Sequence, residues 1–226
     1  MMQGIDLNAL EKGKFIQVNQ SQFKSLMRQC VTSDRYRKAY VRIDWDVVFA
    51  DAYEKERKED LVLFQVYVGD MVSNEPIRPE GWNCLVLGDV KAPWVDLSNP
   101  LSCAEGGSFI VIGNVECEHF SNHWGKIVIV DGDLVAHKLL LNAFEDASLV
   151  VTRNIRTEYF FGRESGAVVG GTAQMAYGNG YCEAIGGKGT IQAKQDAQRS
   201  YAFLGFEEAS ARETDVWDRI RREYEE

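Results

Sequence analysis

Three histidines are the first residues of this chain that could carry chemistry. They are His119, His123 and His137, and the first two are four residues apart. Imidazoles at this separation could share a transition metal if the loop between them folded back, and a metal-dependent lyase is therefore one alternative. The spacing matches no established metal pattern, so we predict neither a metal site nor a cofactor.

Carboxylates beside a basic residue form the second candidate set: Glu116, Glu118, Arg156 and Glu158. A carboxylate pair can act as acid and base in glycoside cleavage, so an enzyme acting on carbohydrate is a further alternative. The chain has no Gly-x-Ser-x-Gly elbow, and its five cysteines include no Cys-x-x-Cys pair. We therefore expect a non-enzymatic protein in which these charges belong to a solvated outer face.

An internal repeat between residues 65 and 157 must position these side chains. Each of five copies has an apolar β-rich triplet, then in four of them a Gly-Asp or Gly-Asn corner, a large apolar anchor and a small residue two positions later. The anchors are Met71, Val90, Val115, Leu134 and Ile155, at gaps of 19, 25, 19 and 21 residues, and the small residues are Ser73, Ala92, Cys117, Ala136 and Thr157. Repeats of this length indicate stacked coils that bury their apolar sides against one another.

The alternation of a strand predicts which side chains face outward. Residues two apart point to the same side, so the anchors and small residues would face the interior. The residues between them, Val72, Lys91, Glu116, Val135 and Arg156, would face out. We predict a partner-binding face at Glu116, Glu118, His137, Arg156 and Glu158, close to a corner that carries His119, Phe120, Tyr159, Phe160 and Phe161.

This repeat resembles the right-handed β-helix, in particular the single-domain solenoids of the bactofilin type, which carry similar short Gly-Asp-apolar corners. The resemblance covers roughly residues 63–165 and brings no catalytic signature. It implies a mainly β fold, a short right-handed parallel β-helix of about five to six coils, to which the flanks add an N-terminal α-containing cap and a C-terminal helix. Arg153 replaces the corner glycine in the fifth copy, so that corner is either differently shaped or misaligned.

The chain divides into three predicted segments: a cap over residues 1–62, the repeat over 63–165, and a glycine-rich segment with a C-terminal helix over 166–226. The spacing of Phe23, Leu26 and Met27 predicts an amphipathic helix over residues 19–30, and residues 41–60 are expected to cover the first coil. Residues 167–169 read as a degenerate sixth coil and residues 177–181 as a turn or hairpin. The last helix carries an apolar stripe of Val216, Trp217, Ile220 and Tyr224, which either docks on its own protein or binds a partner.

Charge and composition narrow the class of partner. The net charge is −9 at a pI near 5.0, and neither nucleic acid nor an anionic membrane surface attracts such a chain. No apolar run reaches the ~20 residues that span a bilayer, and the N-terminus lacks the order of a signal peptide, so we predict a cytoplasmic protein. The expected partner is a protein with a basic patch.

A small acidic solenoid with closed ends is also similar, by a looser analogy of class, to the β-helical immunity proteins that neutralise bacterial toxins. The leading hypothesis is therefore a protein-binding solenoid, monomeric or a small homo-oligomer, whose partner is a basic toxin. The main alternative is a structural polymer of the bactofilin kind. Folded flanks of about 60 residues at each end of the repeat weigh against end-to-end stacking.

Overall fold

The fold is a parallel β-solenoid of about five turns with a helix near each end, as the sequence predicts. A computed structural model describes residues 10–30, 64–80, 82–97, 107–122, 125–143, 148–184 and 213–225. Neither helix of these described ranges is long and apolar enough to cross a bilayer.

Twelve strands and two helices make up the described chain. In order they are β1 (Phe15–Gln17), α1 (Gln20–Cys30), β2 (Phe64–Val68), β3 (Met71–Val72), β4 (Asn83–Leu87), β5 (Val90–Asp96), β6 (Ser108–Ile112), β7 (Val115–Asn122), β8 (Ile127–Val130), β9 (Leu134–Asn142), β10 (Ser148–Val151), β11 (Ile155–Val169), β12 (Ala173–Ala184) and α2 (Glu213–Glu225). All pairs are parallel except β1 with β2.

Each coil contributes strand residues to three faces. The first face stacks β2, β4, β6, β8, β10 and the last residues of β11 and β12. The second face stacks β3 with the opening residues of β5, β7, β9, β11 and β12. The third face stacks the residues that come next in those strands from β5 onward. Between these two faces the alternation of inward and outward residues shifts by one position. Val90, Ala92 and Val95 therefore face the interior, whereas Trp94 faces out.

The predicted interior is confirmed. All five anchors are buried, and they stack in register as Met71, Val90, Val115, Leu134 and Ile155. Their small partners are buried too, except for Ser73 in the first coil, which is partly exposed. Cys117 is one of them, and burial raises the pKa of its thiol, which supports a packing role.

The corner acids and amides form a ladder from coil to coil. Asp70 Oδ1 accepts a hydrogen bond from Asp89 N at 3.0 Å, and Asp89 Oδ1 accepts one from Asn114 N at 2.7 Å. The pattern continues through Asp133 and Asn154, which accept in turn from the next coil. This continuation confirms the alignment of the fifth copy, in which the corner glycine is absent.

Close stacking explains why glycine recurs at these corners. A Cβ on Gly113 would lie 2.4 Å from the carbonyl oxygen of Gly88, and a Cβ on Gly88 would lie 2.3 Å from that of Gly69. Such contacts are far inside van der Waals distance, so a side chain there would force adjacent coils apart.

The N-terminal segment closes one edge of the first coil. The predicted helix is confirmed as α1, and Asn19 caps it: Asn19 Oδ1 accepts from Gln22 N, while Gln22 Oε1 accepts from Asn19 N, both at 2.9 Å. Phe23 packs against Phe64 of the first face at 5.1 Å between ring centroids. The antiparallel strand β1, which the sequence did not reveal, pairs with β2. The cover expected from residues 41–60 lies outside the described residues.

The solenoid continues past the segment boundary predicted at residue 165. Residues 166–169 pair in register with β10, so the sixth copy is confirmed. The predicted turn or hairpin at residues 177–181 is wrong, because Tyr177 to Gly180 lie in β12 and pair with Tyr159 to Gly162. Glycines that signal a turn are accommodated here by the parallel ladder of the neighbouring coil.

Candidate interaction face

The three faces differ in what their outward side chains meet. On the first face the outward residues, such as Leu85, Ile110 and Ile129, are apolar and buried. On the third face Trp94 and Tyr159 are buried beneath α2. The second face is different, because its outward row of Val72, Lys91, Glu116, Val135, Arg156 and Gln174 is exposed except at the partly buried Val135.

Charged side chains on the second face pair across neighbouring coils. Lys91 Nζ lies 3.0 Å from Glu116 Oε1, and His137 Nε2 lies 3.5 Å from the same oxygen. Lys138 Nζ lies 3.8 Å from Glu118 Oε2. The contacts follow from the stack, because positions about 4.8 Å apart in adjacent strands bring outward residues within reach.

These pairs make the second face nearly neutral, unlike the acidic chain as a whole. Three cations, Lys91, Lys138 and Arg156, are matched by three carboxylates, Glu116, Glu118 and Glu158. Hydrogen bonds from Lys91 and His137 lower the pKa of the Glu116 carboxyl, so it stays charged to a lower pH than an ordinary glutamate. The face therefore offers alternating signs to a partner, and each ion pair is exposed enough to open for a competing contact.

The structure places the five predicted site residues together on this accessible surface, but their partner-binding role stays a prediction. The prediction that an aromatic corner lies exposed beside them is wrong. His119, Tyr159 and Phe161 are buried on the third face, and Phe120 and Phe160 are buried in the interior. The slip in alternation turns these residues away from the second face, and a strict period of two did not anticipate it.

The third face holds a buried polar cluster around Asp96. Its carboxylate accepts a hydrogen bond from Ser121 Oγ at 3.2 Å and from Trp217 Nε1 of α2 at 3.0 Å, and Arg78 Nε lies 3.1 Å from its other oxygen. Trp94 Nε1 donates to Ser121 Oγ at 2.8 Å. Asp96 thus joins two coils and α2 in one network, with its charge paired by the Arg78 guanidinium.

His119 lies next to this cluster under the end of α2. Its Nδ1 is 2.9 Å from the hydroxyl of Tyr224, whose ring stacks on Trp94 with centroids 5.4 Å apart. Burial, with a contribution from Lys138 and Arg219, lowers the pKa of His119 to about 4. The docked stripe confirms that α2 packs on its own protein rather than lying open for a partner.

Ser121, His119 and Asp96 share one surface but are not connected as a nucleophilic triad. A triad needs the histidine to accept the serine proton, with the acid holding the far side of the ring. Here Ser121 donates directly to Asp96, and the described contacts of His119 go to α2. The arrangement serves packing of the helix instead of nucleophile activation.

The metal alternative receives no geometric support in the described ranges. They contain no group of three histidine, cysteine, aspartate or glutamate side chains placed to hold an ion. His119 and His137 point to different faces, toward Tyr224 and Glu116 respectively. His123 lies outside the described residues.

Sequence reasoning missed two contributors to the second face and one to the third. Lys91 was predicted to face out but was not assigned to the binding face, and its stacking neighbour Glu116 was the signal that could have identified it. Lys138 occupies a bulge between Ala136 and Leu139, which the repeat pattern does not show. The role of Asp96 depends on contacts with residue 217, about 120 positions away, and no local signal indicates it.

Comparison of the chain with protein-family models, with curated proteins and with solved structures finds no match.

Proposed function

We propose that this chain is a non-enzymatic protein-binding solenoid that recognises a partner protein through its second face. The observation that carries the proposal is the contrast among the faces: two have buried outward side chains, and the second presents accessible side chains on a rigid ladder. A stacked sheet fixes the spacing of its outward residues, so their identity can suit a partner without disturbing the interior.

Charge supports a narrower proposal, an immunity protein whose partner is a basic toxin. The net charge of −9 would accelerate the approach of a basic protein. The paired charges of the near-neutral second face would then align the partner on that face. Glu116 and Glu118 would exchange their own-chain cations for cations of the partner. A cytoplasmic location belongs to this proposal.

The structural-polymer alternative has less support. End-to-end stacking requires an open edge on the first coil, and on the first face β1 occupies the edge of β2 in the antiparallel sense. Phe15 also packs edge-on against Tyr67 at 5.4 Å between centroids. Pairing with β1 supplies the hydrogen bonds that another subunit would need.

A photo-crosslinking experiment tests the proposal. A photoreactive amino acid at position 135 places the probe on the second face, where Val135 lies between Glu116 and Arg156 in the outward row. In the cells that produce the protein, we expect this variant to capture one predominant partner protein on irradiation. The control carries the same probe at position 14, because Lys14 is exposed but lies outside the solenoid faces.

Affinity measurements with the captured partner then test the role of charge. The double substitution Glu116→Lys, Glu118→Lys should weaken binding at least tenfold and reduce the dependence of the association rate on salt. The control Glu11→Lys adds positive charge at an exposed site away from the face. Equal affinity of the double variant and the parent, or no partner captured from position 135, would contradict the proposal.

A further inference from the structure

We propose that α2 is an acid-sensitive latch on the third face, released when His119 takes up a proton beneath it. The inference is independent of the proposed partner, because it concerns the third face only. Its basis is the placement of a nearly buried imidazole at the interface that holds the helix: only 4% of His119 is exposed, and Tyr224 of α2 covers it.

The hydrogen bonds at the latch accommodate a neutral imidazole. Tyr224 donates its hydroxyl hydrogen to the carbonyl oxygen of Pro93 at 3.2 Å, so His119 donates its Nδ1 hydrogen to the tyrosine oxygen. Burial raises the pKa of Tyr224 to about 12, and its hydroxyl therefore stays protonated over the whole acidic range. A second proton on His119 would enter at Nε2.

Charges from every neighbouring element act on that proton. From β9 and α2, Lys138 and Arg219 repel it, and the loss of water on burial disfavours it further. Glu223 of α2 attracts it, with Oε2 3.6 Å from Nε2, but this carboxylate is 41% exposed and its pull is screened by solvent.

Two carboxylates of the neighbouring strands have cationic partners of their own. On the solenoid side Asp96 is paired with Arg78, and on β7 Glu118 is paired with Lys138. The balance therefore favours the neutral ring while α2 is docked.

The direction of the pH effect follows from this balance. Undocking exposes the imidazole, whose ordinary pKa is 6.5, whereas the docked value is about 4. The stability that the neutral imidazole gives to docking is fully present above pH 6.5. It is lost progressively as the pH falls from that value toward 4. Between pH 7.5 and pH 5 the ratio of undocked to docked helix should rise about 30-fold.

Hydrogen exchange followed by mass spectrometry measures the latch in the intact chain. After correction for the intrinsic exchange rate at each pH, protection of the α2 amides should fall about 30-fold between pH 7.5 and pH 5. Protection of the α1 amides is the internal control. The variant His119→Gln retains a side chain that bonds to Tyr224 but does not titrate in this range, so its α2 protection should stay constant.

A direct titration of the His119 ring by NMR keeps the proposal open to refutation if His119→Gln does not fold. The expected pKa in the wild-type protein lies well below 6.5, and Glu223→Gln should lower it further. A His119 pKa above 6.5, or α2 protection that is constant or increases as the pH falls to 5, would overturn the latch.

Discussion

The second and third faces are built from the same strands, yet they meet solvent in opposite ways. On the second face Lys91 and Glu116 form an exposed ion pair, with 62% and 48% of their side chains accessible. On the third face Trp94 is fully buried beneath the aromatic stripe of α2. Outward position in a coil therefore does not decide exposure; the presence of a covering helix does. We therefore expect the covered third face to contribute to stability and the uncovered second face to contribute to recognition.

The largest effect is expected from a charge placed in the interior that both faces share. Leu134 is fully buried in the central stack, between Val115 and Ile155. Leu134→Asp introduces a carboxylate without a partner, which should cost several kcal/mol and unfold the protein. Thermal unfolding followed by circular dichroism measures it. The control is Val135→Asp, one residue along and outward, and unchanged stability of Leu134→Asp would refute the inward assignment.

The next effect separates the two faces directly. Trp94→Ala removes a buried ring, its bond to Ser121 and its stack on Tyr224, and should lower the free energy of unfolding by about 3–5 kcal/mol. Lys91→Ala on the second face should change it by less than about 0.5 kcal/mol. Urea denaturation of both variants provides the comparison. Similar losses at the two sites would show that the second face also carries stability.

A smaller effect is expected at the corner that precedes the second face. Asn154 accepts a hydrogen bond from Thr172 N at 2.9 Å and donates to Asp133 Oδ1 at 2.8 Å. Asn154→Ala should destabilise the fold by about 1 kcal/mol, because this corner is exposed and water replaces part of the lost bonding. Asn154→Asp keeps the acceptor for Thr172 but places a second carboxylate against Asp133 Oδ1, so at neutral pH it should recover none of the loss in the same urea measurement. If Asn154→Ala costs nothing, the ladder does not contribute to stability.

The smallest effect is a pH-dependent one on the second face. The pKa of Glu116 is lowered in the folded protein, so its contribution to stability is present above its ordinary value of 4.5 and disappears as the pH falls through the folded value. Glu116→Gln should therefore cost at most about 0.5 kcal/mol at pH 7 and less at pH 3. Urea midpoints at the two pH values measure the difference. A larger penalty at pH 3 than at pH 7 would reverse the assignment.

Much of the fold could be predicted because the repeat is a local pattern. The anchors at Val90, Val115 and Leu134 recur with their small partners, and only stacking can bury such a set. The cap at Asn19 and the helix after it were also readable, since capping uses neighbouring residues. Strand β1 was not, because three residues without a repeat carry too little signal.

The candidate sites were predicted less completely. The accessible row followed from alternation, which places Glu116 and Arg156 outward. The aromatic corner was misplaced because a strand that bends between two faces shifts its alternation by one residue, as at His119 and Tyr159. The pairing of Lys138 with Glu118 likewise depends on a bulge that appears only in the folded register.

By itself the sequence determined the solenoid, its interior and the outward row of the second face, because each depends on short-range periodicity that repeats along the chain. The tertiary structure alone decided which outward residues stay accessible. Packing of α2 brings Trp217 to Asp96 and Tyr224 to His119 across more than 100 residues of chain. Stacking of the coils also buries Lys126, whose Nζ donates to the carbonyl oxygen of Trp82 at 2.8 Å, although a lysine in a sequence indicates surface. Contacts between distant residues follow from how the coils stack, and local composition does not encode them.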